Sequence, residues 1–179
     1  MALEKQEKPG DLWVFGYGSL MWDPRLPVVE AVPARLYGWH RRFSMVKTTS
    51  FGSLARPGLA AGLHPGGEVT GLALRIDASH RPEAEADLDK RECHYQRRWV
   101  SLFTQGGASL PALTYVAHPT NGSFDPHLPY EHLTQRYLHG HGPRGTTRHY
   151  IEETARQLSL AGYRNTDAHR LVHRLSRQR

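Results

Sequence analysis

The fold is anchored by the segment Leu12-Trp13-Val14-Phe15-Gly16-Tyr17-Gly18-Ser19-Leu20. Its apolar first half stops at two glycines, a pattern that predicts a buried strand followed by a tight loop. Glycine tolerates positive φ and lets a ligand approach the backbone, so such a loop can offer N–H groups to a carboxylate or an oxyanion. The glycine spacing matches neither a dinucleotide-binding nor a phosphate-binding loop. Taken alone, the segment predicts either a ligand-binding loop or a structural turn.

Outward from this segment, strand patterns fill the first two-thirds of the chain and helix patterns the last third. Two strand pieces are expected over 28–46, around Tyr37-Gly38, and a loop over 48–58. Further strands are expected over 59–63 and 69–76, joined by a hairpin turn at Pro65-Gly66-Gly67, and over 98–104 and 110–117. Helices are expected over 82–92, 129–138, 146–161 and 166–175, with Gly162 as a C-cap and Asn165-Thr166 as an N-cap. Because strict βαβ alternation is missing, the order predicts an α+β fold with helices packed on a curved or barrel-like sheet.

Length and composition predict one globular domain over 11–179, preceded by a flexible segment over 1–10. Hydrophobic residues make up 39% of the chain and charged residues 22%, which excludes a disordered or fibrous protein. No apolar run approaches the roughly 18 residues of a membrane span, and the first ten residues lack the apolar core of a secretory signal. The single cysteine, Cys93, excludes an intramolecular disulfide. These features together predict a cytoplasmic protein that does not interact with membranes.

The formal net charge of +6 raises the possibility of a nucleic-acid partner. The arginines are spread along the chain, however, and only the C-terminal set (Arg170, Arg174, Arg177 and Arg179) forms a cluster. No nucleic-acid-binding motif accompanies them. We therefore expect a small-molecule ligand rather than DNA or RNA.

Three side chains outside the glycine loop are candidates for chemistry. Glu92 ends the helix expected over 82–92, and a glutamate in a cleft can act as a general base and then a general acid. Tyr150 lies near the apolar face of the third helix and can point its hydroxyl into a site. Alternation along Trp39-His40-Arg41-Arg42-Phe43 puts Arg42 on the opposite face from Arg41, and an inward arginine can bind a carboxylate bidentately. The alternatives are a solvated helix end for Glu92, a core tyrosine for Tyr150 and a solvated arginine for Arg42.

The histidines at 127, 132, 139 and 141 suggest a metal site, but their spacing fits no common zinc pattern, so no metal is expected. Cys93 stands between Glu92 and His94. A Cys–His nucleophile needs spatial adjacency, which sequence adjacency does not provide. We therefore expect Cys93 to be structural.

Five segments in this order make the chain resemble the ChaC-like γ-glutamylcyclotransferases, and the resemblance runs from about residue 12 to residue 175. The segments are Val14-Phe15-Gly16-Tyr17-Gly18-Ser19-Leu20-Met21-Trp22, Gly38-Trp39-His40-Arg41-Arg42-Phe43, Pro57-Gly58-Leu59, Leu88-Asp89-Lys90-Arg91-Glu92 and Gly142-Pro143-Arg144-Gly145-Thr146-Thr147-Arg148-His149-Tyr150-Ile151.

The resemblance implies a small mixed β-barrel with flanking helices, and a lyase that cleaves glutathione into 5-oxoproline and cysteinylglycine. It also implies that Glu92 is the catalytic glutamate, that Tyr150 stands near the site, and that no metal or organic cofactor takes part. If Glu92 is the base, its carboxyl must be buried enough to raise its pKa, because an exposed glutamate is a poor base at neutral pH. The substrate-binding residues expected on this basis are Val14, Phe15, Gly16, Tyr17, Gly18, Ser19, Leu20, Arg42 and Tyr150.

The chain also departs from the pattern of the family it resembles. Phe51 stands within a stretch that usually resembles Arg-Gly-Thr, Arg144 stands at a usual serine, and Thr147 at a usual asparagine. Cys93-His94-Tyr95 stands where Gly-Gly-Tyr is common. These changes are expected at the far end of the substrate. They leave open a cyclotransferase for another γ-glutamyl compound, an amino acid or an amine, or a non-catalytic binding or regulatory protein. The sequence does not indicate an oligomeric state.

Overall fold

The computed structural model describes residues 10–120, 122–125 and 127–177. Its main sheet contains β1 (Leu12–Gly16), β2 (Val28–Lys47), β3 (Gly58–Ile76), β4 (Tyr95–Thr104) and β5 (Ser109–Ala117). These strands close into a barrel in the order β1-β3-β2-β4-β5. Neighbouring strands are antiparallel except β5 and β1, which close the barrel in parallel at Leu113 and Val14. The predicted α+β barrel is confirmed.

Helices flank the barrel, and three of the four in the described residues follow residue 128. They are α1 (Arg81–Arg91), α2 (Tyr130–His139), α3 (Thr147–Leu160) and α4 (Asp167–Leu175), with a small ladder of β6 (His141–Gly142) and β7 (Gly145–Thr146) before α3. Gly162 ends α3 with a φ of 85° while the next N–H bonds back to the carbonyl of Leu158, so the predicted C-cap is confirmed. Thr166 precedes α4, but its hydroxyl bonds the His169 ring rather than a backbone N–H of the first turn.

The hairpin turn predicted at Pro65-Gly66-Gly67 is wrong. β3 continues through this segment and pairs with β2 on both sides, joining Trp39 to Pro65 and Tyr37 to Glu68. Gly66 and Gly67 have φ values of 97° and 74°, and they face Gly38, whose φ is 80°. The glycines therefore form a bulge that bends one long strand pair. A bulge and a turn both use residues with positive φ, so the same glycines are compatible with either structure. β4 also begins at Tyr95 rather than at residue 98.

Two apolar clusters fix the end of the barrel where β1 stops. The larger fills the barrel and includes Phe15, Met45 and Leu63, and buried Ile151 of α3 packs against it. The smaller joins Val14 of β1 to Leu88 of α1. Burying a leucine-sized side chain stabilises a fold by about 1.5–3 kcal/mol, so Leu88 holds the C-terminal end of α1 against β1. The short connection from α1 to β4 therefore lies beside the loop that follows β1.

The flexible segment predicted over 1–10 falls outside the described residues, apart from Gly10, which is exposed. Within the described part of the chain, no helix combines the length and the apolar character needed to cross a membrane.

Candidate active site

A cavity of about 200 Å³ opens at this end of the barrel. Its walls come from the loop after β1, the ends of β2 and α1, the first half of β3, the loop over 48–58, and Tyr150 of α3. Elements distant in sequence therefore contribute to one concave site, the arrangement typical of a small-molecule pocket.

The cavity brings together most of the sequence-predicted site residues. Tyr17, Gly18, Ser19, Leu20, Glu92 and Tyr150 all line it. Val14, Phe15 and Gly16 do not line it. They lie buried in β1, the strand that leads into the loop. Strand and loop were predicted as one binding unit, whereas only the loop faces the cavity.

Glu92 lies directly after α1, and its side chain is 15% exposed. Its carboxylate forms an ion pair with Arg91, whose Nε lies 3.1 Å from Glu92 Oε1. Burial raises the pKa of the Glu92 carboxyl above its ordinary value, although the charges of Arg91, Lys47 and Arg144 act in the opposite direction. The direction is the one expected for a general base. The site thus keeps Glu92 ionisable while moving its pKa toward neutrality.

Arg91 links Glu92 to the glycine loop. Besides its contact with Glu92, its guanidinium donates to Ser19 Oγ at 3.1 Å and to the carbonyl oxygens of Asp23 and Pro24 at 2.9 and 2.7 Å. The five N–H groups of an arginine suit such a multiple anchor. Arg91 was not predicted as a site residue, although its position next to Glu92 in the sequence indicated that it could lie in the site.

Tyr150 meets the glycine loop from the opposite side. Its hydroxyl oxygen accepts the N–H of Ala61 at 3.2 Å, and the backbone of Ser19 also hydrogen-bonds it. A Cβ added at Gly18 would lie 2.3 Å from that oxygen. Gly18 has a φ of −142°, so this position needs glycine for the close approach and not for its backbone angle. Burial raises the pKa of Tyr150, which keeps the phenol protonated.

Three further tyrosines surround the cavity. Tyr17 donates its hydroxyl to the Tyr115 carbonyl at 2.5 Å, and Tyr95 donates to the Ala61 carbonyl at 2.9 Å. Tyr115 donates in turn to Asp89 Oδ1 at 2.6 Å. Burial raises the pKa of Tyr17, Tyr95 and Tyr115, so all three act as neutral donors. Tyr95 and Tyr115 lie on strands whose apolar pattern concealed a role in the site, whereas Tyr17 belongs to the glycine loop and was predicted as a substrate-binding residue.

Arg42 does not reach the cavity, because it is exposed on the outer face of β2. The buried arginine is its neighbour, Arg41, whose side chain is 0% exposed. Arg41 donates to the carbonyl of Tyr17 at 2.7 Å, to the carbonyl of Thr70 at 2.5 Å and to Asp167 at 2.8 Å. Alternation separated the two arginines correctly but did not reveal which face points inward. Arg41 therefore fixes the start of the glycine loop through its hydrogen bond to the Tyr17 carbonyl.

The loop over 48–58 closes one side of the cavity with Thr49, Ser50 and Phe51. Its ends meet so tightly that a Cβ at Gly52 would lie 2.2 Å from the backbone nitrogen of Gly58. Buried Thr147 ties the loop to α3, since its hydroxyl donates to the Phe51 carbonyl at 3.0 Å and accepts from the Leu59 N–H at 3.2 Å. Thr147, expected at the far end of the substrate, therefore acts on the loop from outside the cavity.

Arg144, by contrast, lines the cavity. Its guanidinium lies over the Phe51 ring, 5.1 Å from the centroid, and pairs with Asp23. Lys47 and Cys93 also line the cavity, and sequence analysis assigned neither to it. Cys93 is an exposed free thiol and does not pack in the core, so the structural role predicted for it is wrong.

The described residues contain no group of three or more His, Cys, Asp or Glu side chains placed to hold a metal ion. The histidines that suggested such a site belong to different segments: His132 and His139 are exposed on α2, and His141 lies in β6.

Comparison with known proteins identifies similar chains across nearly the whole length. The sequence profile of the family described as ChaC-like protein matches residues 12–177. A glutathione-specific γ-glutamylcyclotransferase of Escherichia coli K12 is 31% identical over 157 residues, covering 86% of this chain and 68% of that protein. γ-Glutamylcyclotransferase 2-3 of Arabidopsis thaliana is 32% identical over 180 residues, covering 92% and 90%.

Among solved structures, a γ-glutamylcyclotransferase specific to glutathione from yeast superposes with a TM-score of 0.88 at 20% identity. The match covers 96% of this chain and 98% of the yeast protein. At this identity, the structural likeness shows a shared fold.

Proposed function

This chain belongs to the ChaC-like protein family, and we propose that it is a glutathione-specific γ-glutamylcyclotransferase, a lyase that releases 5-oxoproline and cysteinylglycine. The observation that carries the proposed chemistry is the position of Glu92. It is a buried carboxylate with a raised pKa, and it faces the same 200 Å³ cavity as the glycine loop. A general base whose pKa is raised, in a confined pocket, is what an intramolecular amine attack requires.

In this proposal, the glycine loop holds the γ-glutamyl end of the substrate. Backbone N–H groups of the loop beside Gly18 bind the α-carboxylate or the developing oxyanion, while the Ser19 N–H is donated to the Tyr150 hydroxyl. The Tyr150 hydroxyl already accepts two backbone hydrogen bonds, so its own proton is available to a substrate oxygen. The cavity thereby holds the γ-glutamyl chain folded, with its amine near its own γ-carbonyl carbon. Such preorganisation can supply about 7–11 kcal/mol of the barrier in an intramolecular reaction.

The proton then passes through Glu92. As the amine nitrogen bonds to the γ-carbonyl carbon, the Glu92 carboxylate accepts a proton from that nitrogen. The tetrahedral intermediate collapses, the bond from carbon to the cysteinyl nitrogen breaks, and Glu92 returns the proton to the departing amine. The step consumes no water and changes no oxidation state. One carboxyl group serves as base and then as acid.

We place this activity in the cytoplasm. The support is chemical: the substrate is the main cytosolic thiol, and the single cysteine of the chain is a free thiol. Secretion of the active enzyme from its native host would contradict this placement.

The proposed function is tested by incubating the purified protein with glutathione and quantifying both products. Equal amounts of 5-oxoproline and cysteinylglycine are expected. A panel of γ-glutamyl amino acids and γ-glutamylamines should react more slowly than glutathione. Release of 5-oxoproline from another member of the panel but not from glutathione would contradict the proposed substrate, and tight binding without any release would contradict the proposed activity.

A further inference from the structure

The cavity carries more positive than negative charge. Among the described residues that line it, Lys47, Arg91 and Arg144 are cationic, whereas Glu92 is the single carboxylate. Burying several cations around one anion is costly unless further negative charge enters with a ligand. The cavity is therefore suited to an anionic substrate, and the partners of each cation indicate which one is available to it.

Two of the three cations already have protein partners. Arg91 pairs with Glu92 at 3.1 Å and also donates to Ser19 and to backbone carbonyls. Arg144 pairs with Asp23 and lies over the ring of Phe51. Neither arginine can turn fully to a substrate without giving up these contacts, and leaving their partners unsatisfied would carry a penalty.

Lys47 is differently placed. Within the described part of the chain, its ammonium makes no hydrogen bond, and no carboxylate lies within 4.0 Å of it. Its Nζ stands 4.6 Å above the centroid of the Tyr95 ring. Burial lowers the pKa of Lys47, although the nearby charges of Glu92 and Cys93 act in the opposite direction. A partly buried ammonium that lies over a ring face and pairs with no carboxylate of the described residues can bind an incoming anion at little cost.

The position of Lys47 indicates which part of the substrate it meets. Lys47 ends β2, directly before the loop over 48–58, and its electrostatic neighbour Cys93 is an exposed residue of the cavity lining. Gly18, which we assign to the γ-glutamyl end, packs instead against buried Tyr150. Lys47 and the glycine loop therefore serve different ends of the substrate.

We propose that Lys47 binds the C-terminal carboxylate of the leaving peptide and so selects γ-glutamyl peptides over γ-glutamylamines, an inference that rests on the proposed function. A γ-glutamylamine presents no carboxylate beyond the scissile bond, so it leaves Lys47 without a partner. Sites built to pair with a charged group discriminate strongly against ligands that lack it. Lys47 is thus a specificity-determining residue. Its charge also lowers the pKa of Glu92, an effect common to every substrate that leaves the preference between two substrates unchanged.

The test compares glutathione with its C-terminal amide, which differs only in the carboxylate. Binding is measured calorimetrically in Glu92→Gln, so that ligand is not consumed, and kcat/KM is measured in the protein with Glu92 intact. We expect glutathione to be preferred by about tenfold or more in both measurements. Lys47→Met should reduce the preference to about one, and Lys47→Arg should retain most of it. Lys90→Met, the same change at an exposed lysine of α1, should leave the preference unchanged.

Three results would overturn the inference: no preference before mutation, a preference that persists in Lys47→Met, or equal weakening of both ligands by Lys47→Met. The last would assign Lys47 to the γ-glutamyl carboxylate. Loss of fold is excluded if Lys47→Met unfolds at the same temperature as Lys90→Met, and retention of the preference in Lys47→Arg gives a second control. Failure to release 5-oxoproline from glutathione contradicts the proposed function instead, and the binding comparison still decides the role of Lys47.

Discussion

At the scale of single residues, the site depends on the different roles of Arg91 and Glu92. They are adjacent in sequence, yet each side chain serves a different element: Glu92 faces the cavity, and Arg91 holds Ser19 and the carbonyls behind it. Because the guanidinium also contacts Glu92, it favours the carboxylate form. In the proposed mechanism, Arg91 is therefore a positioning residue that also influences the pH at which Glu92 works as the base.

Removal of this charge should be visible in the pH profile. In Arg91→Gln, the pKa of Glu92 should rise, because burial would then act against less opposing positive charge. The base must be ionised to act, so the acidic limb of kcat/KM should move to higher pH.

A purely structural role for Arg91 would lower activity without moving the midpoint of that limb, and this result would contradict the prediction. Arg97→Gln provides the control, since Arg97 pairs with Glu85 and Asp89 on the outside of the barrel. Its profile should keep the midpoint of the unaltered protein.

Gly18 and Tyr150 should be coupled through a steric contact. Gly18→Ala places a Cβ 2.3 Å from the Tyr150 hydroxyl oxygen but 3.4 Å from the ring carbon that carries it. The substitution should cost about 1–3 kcal/mol of unfolding free energy when the hydroxyl is present, the usual range for overpacking. In the Tyr150→Phe background, the same substitution should cost less than half as much. A double-mutant cycle by chemical denaturation measures this coupling, and additive costs would contradict it.

At the scale of elements, the long pair of β2 and β3 shows why the turn prediction failed. Pro65-Gly66-Gly67 has the composition of a hairpin turn, but three glycines with positive φ lie opposite one another, and the ladder continues beyond them. A local pattern cannot distinguish a turn from a bulge, because the distinction depends on whether the partner strand extends past the glycines. Elements with one dominant local signal, such as α3 with its cap at Thr146, were predicted almost to the residue.

The same strand pair contains a pH-dependent contact. Ser44 Oγ of β2 lies 2.7 Å from His64 Nε2 of β3, and both residues are buried. Burial, with the charges of Arg42 and His40, lowers the pKa of His64 from 6.5 to about 4. At pH values between 4 and 6.5, His64 binds a proton in the unfolded chain but not in the folded chain. Stability is therefore complete above pH 6.5 and falls as the pH drops toward 4.

We expect His64 to contribute a loss of about 3 kcal/mol across this window. Urea denaturation at several pH values should show that His64→Gln flattens the pH dependence of the unfolding free energy. His139→Gln, at an exposed position of α2, should not flatten it. An unchanged slope in His64→Gln would exclude His64 as the titrating group.

At the scale of the whole molecule, the barrel brings together residues that no sequence window contains. Glu92, the glycine loop and Tyr150 were predicted from motifs and their order, and they meet in one cavity. Lys47, Tyr95 and Tyr115 were not predicted, because strand patterns do not reveal which side chains face the open end of a barrel. Arg42 was chosen over Arg41 for the same reason. The sequence thus predicts the family and most of the elements well, and the closure of the barrel determines the remaining lining residues.

The central claim is that Glu92 moves the proton in a cavity that holds the γ-glutamyl chain folded. The most direct test is the rate of 5-oxoproline release from glutathione by Glu92→Gln, with Glu83→Gln, an exposed site on α1, as the matched control. Glu92→Gln should keep its fold and still bind glutathione but lose turnover by about a thousandfold, within the range of general acid–base catalysis. Glu83→Gln should retain full activity. Release of 5-oxoproline by Glu92→Gln at a rate near that of the unaltered protein would contradict the account.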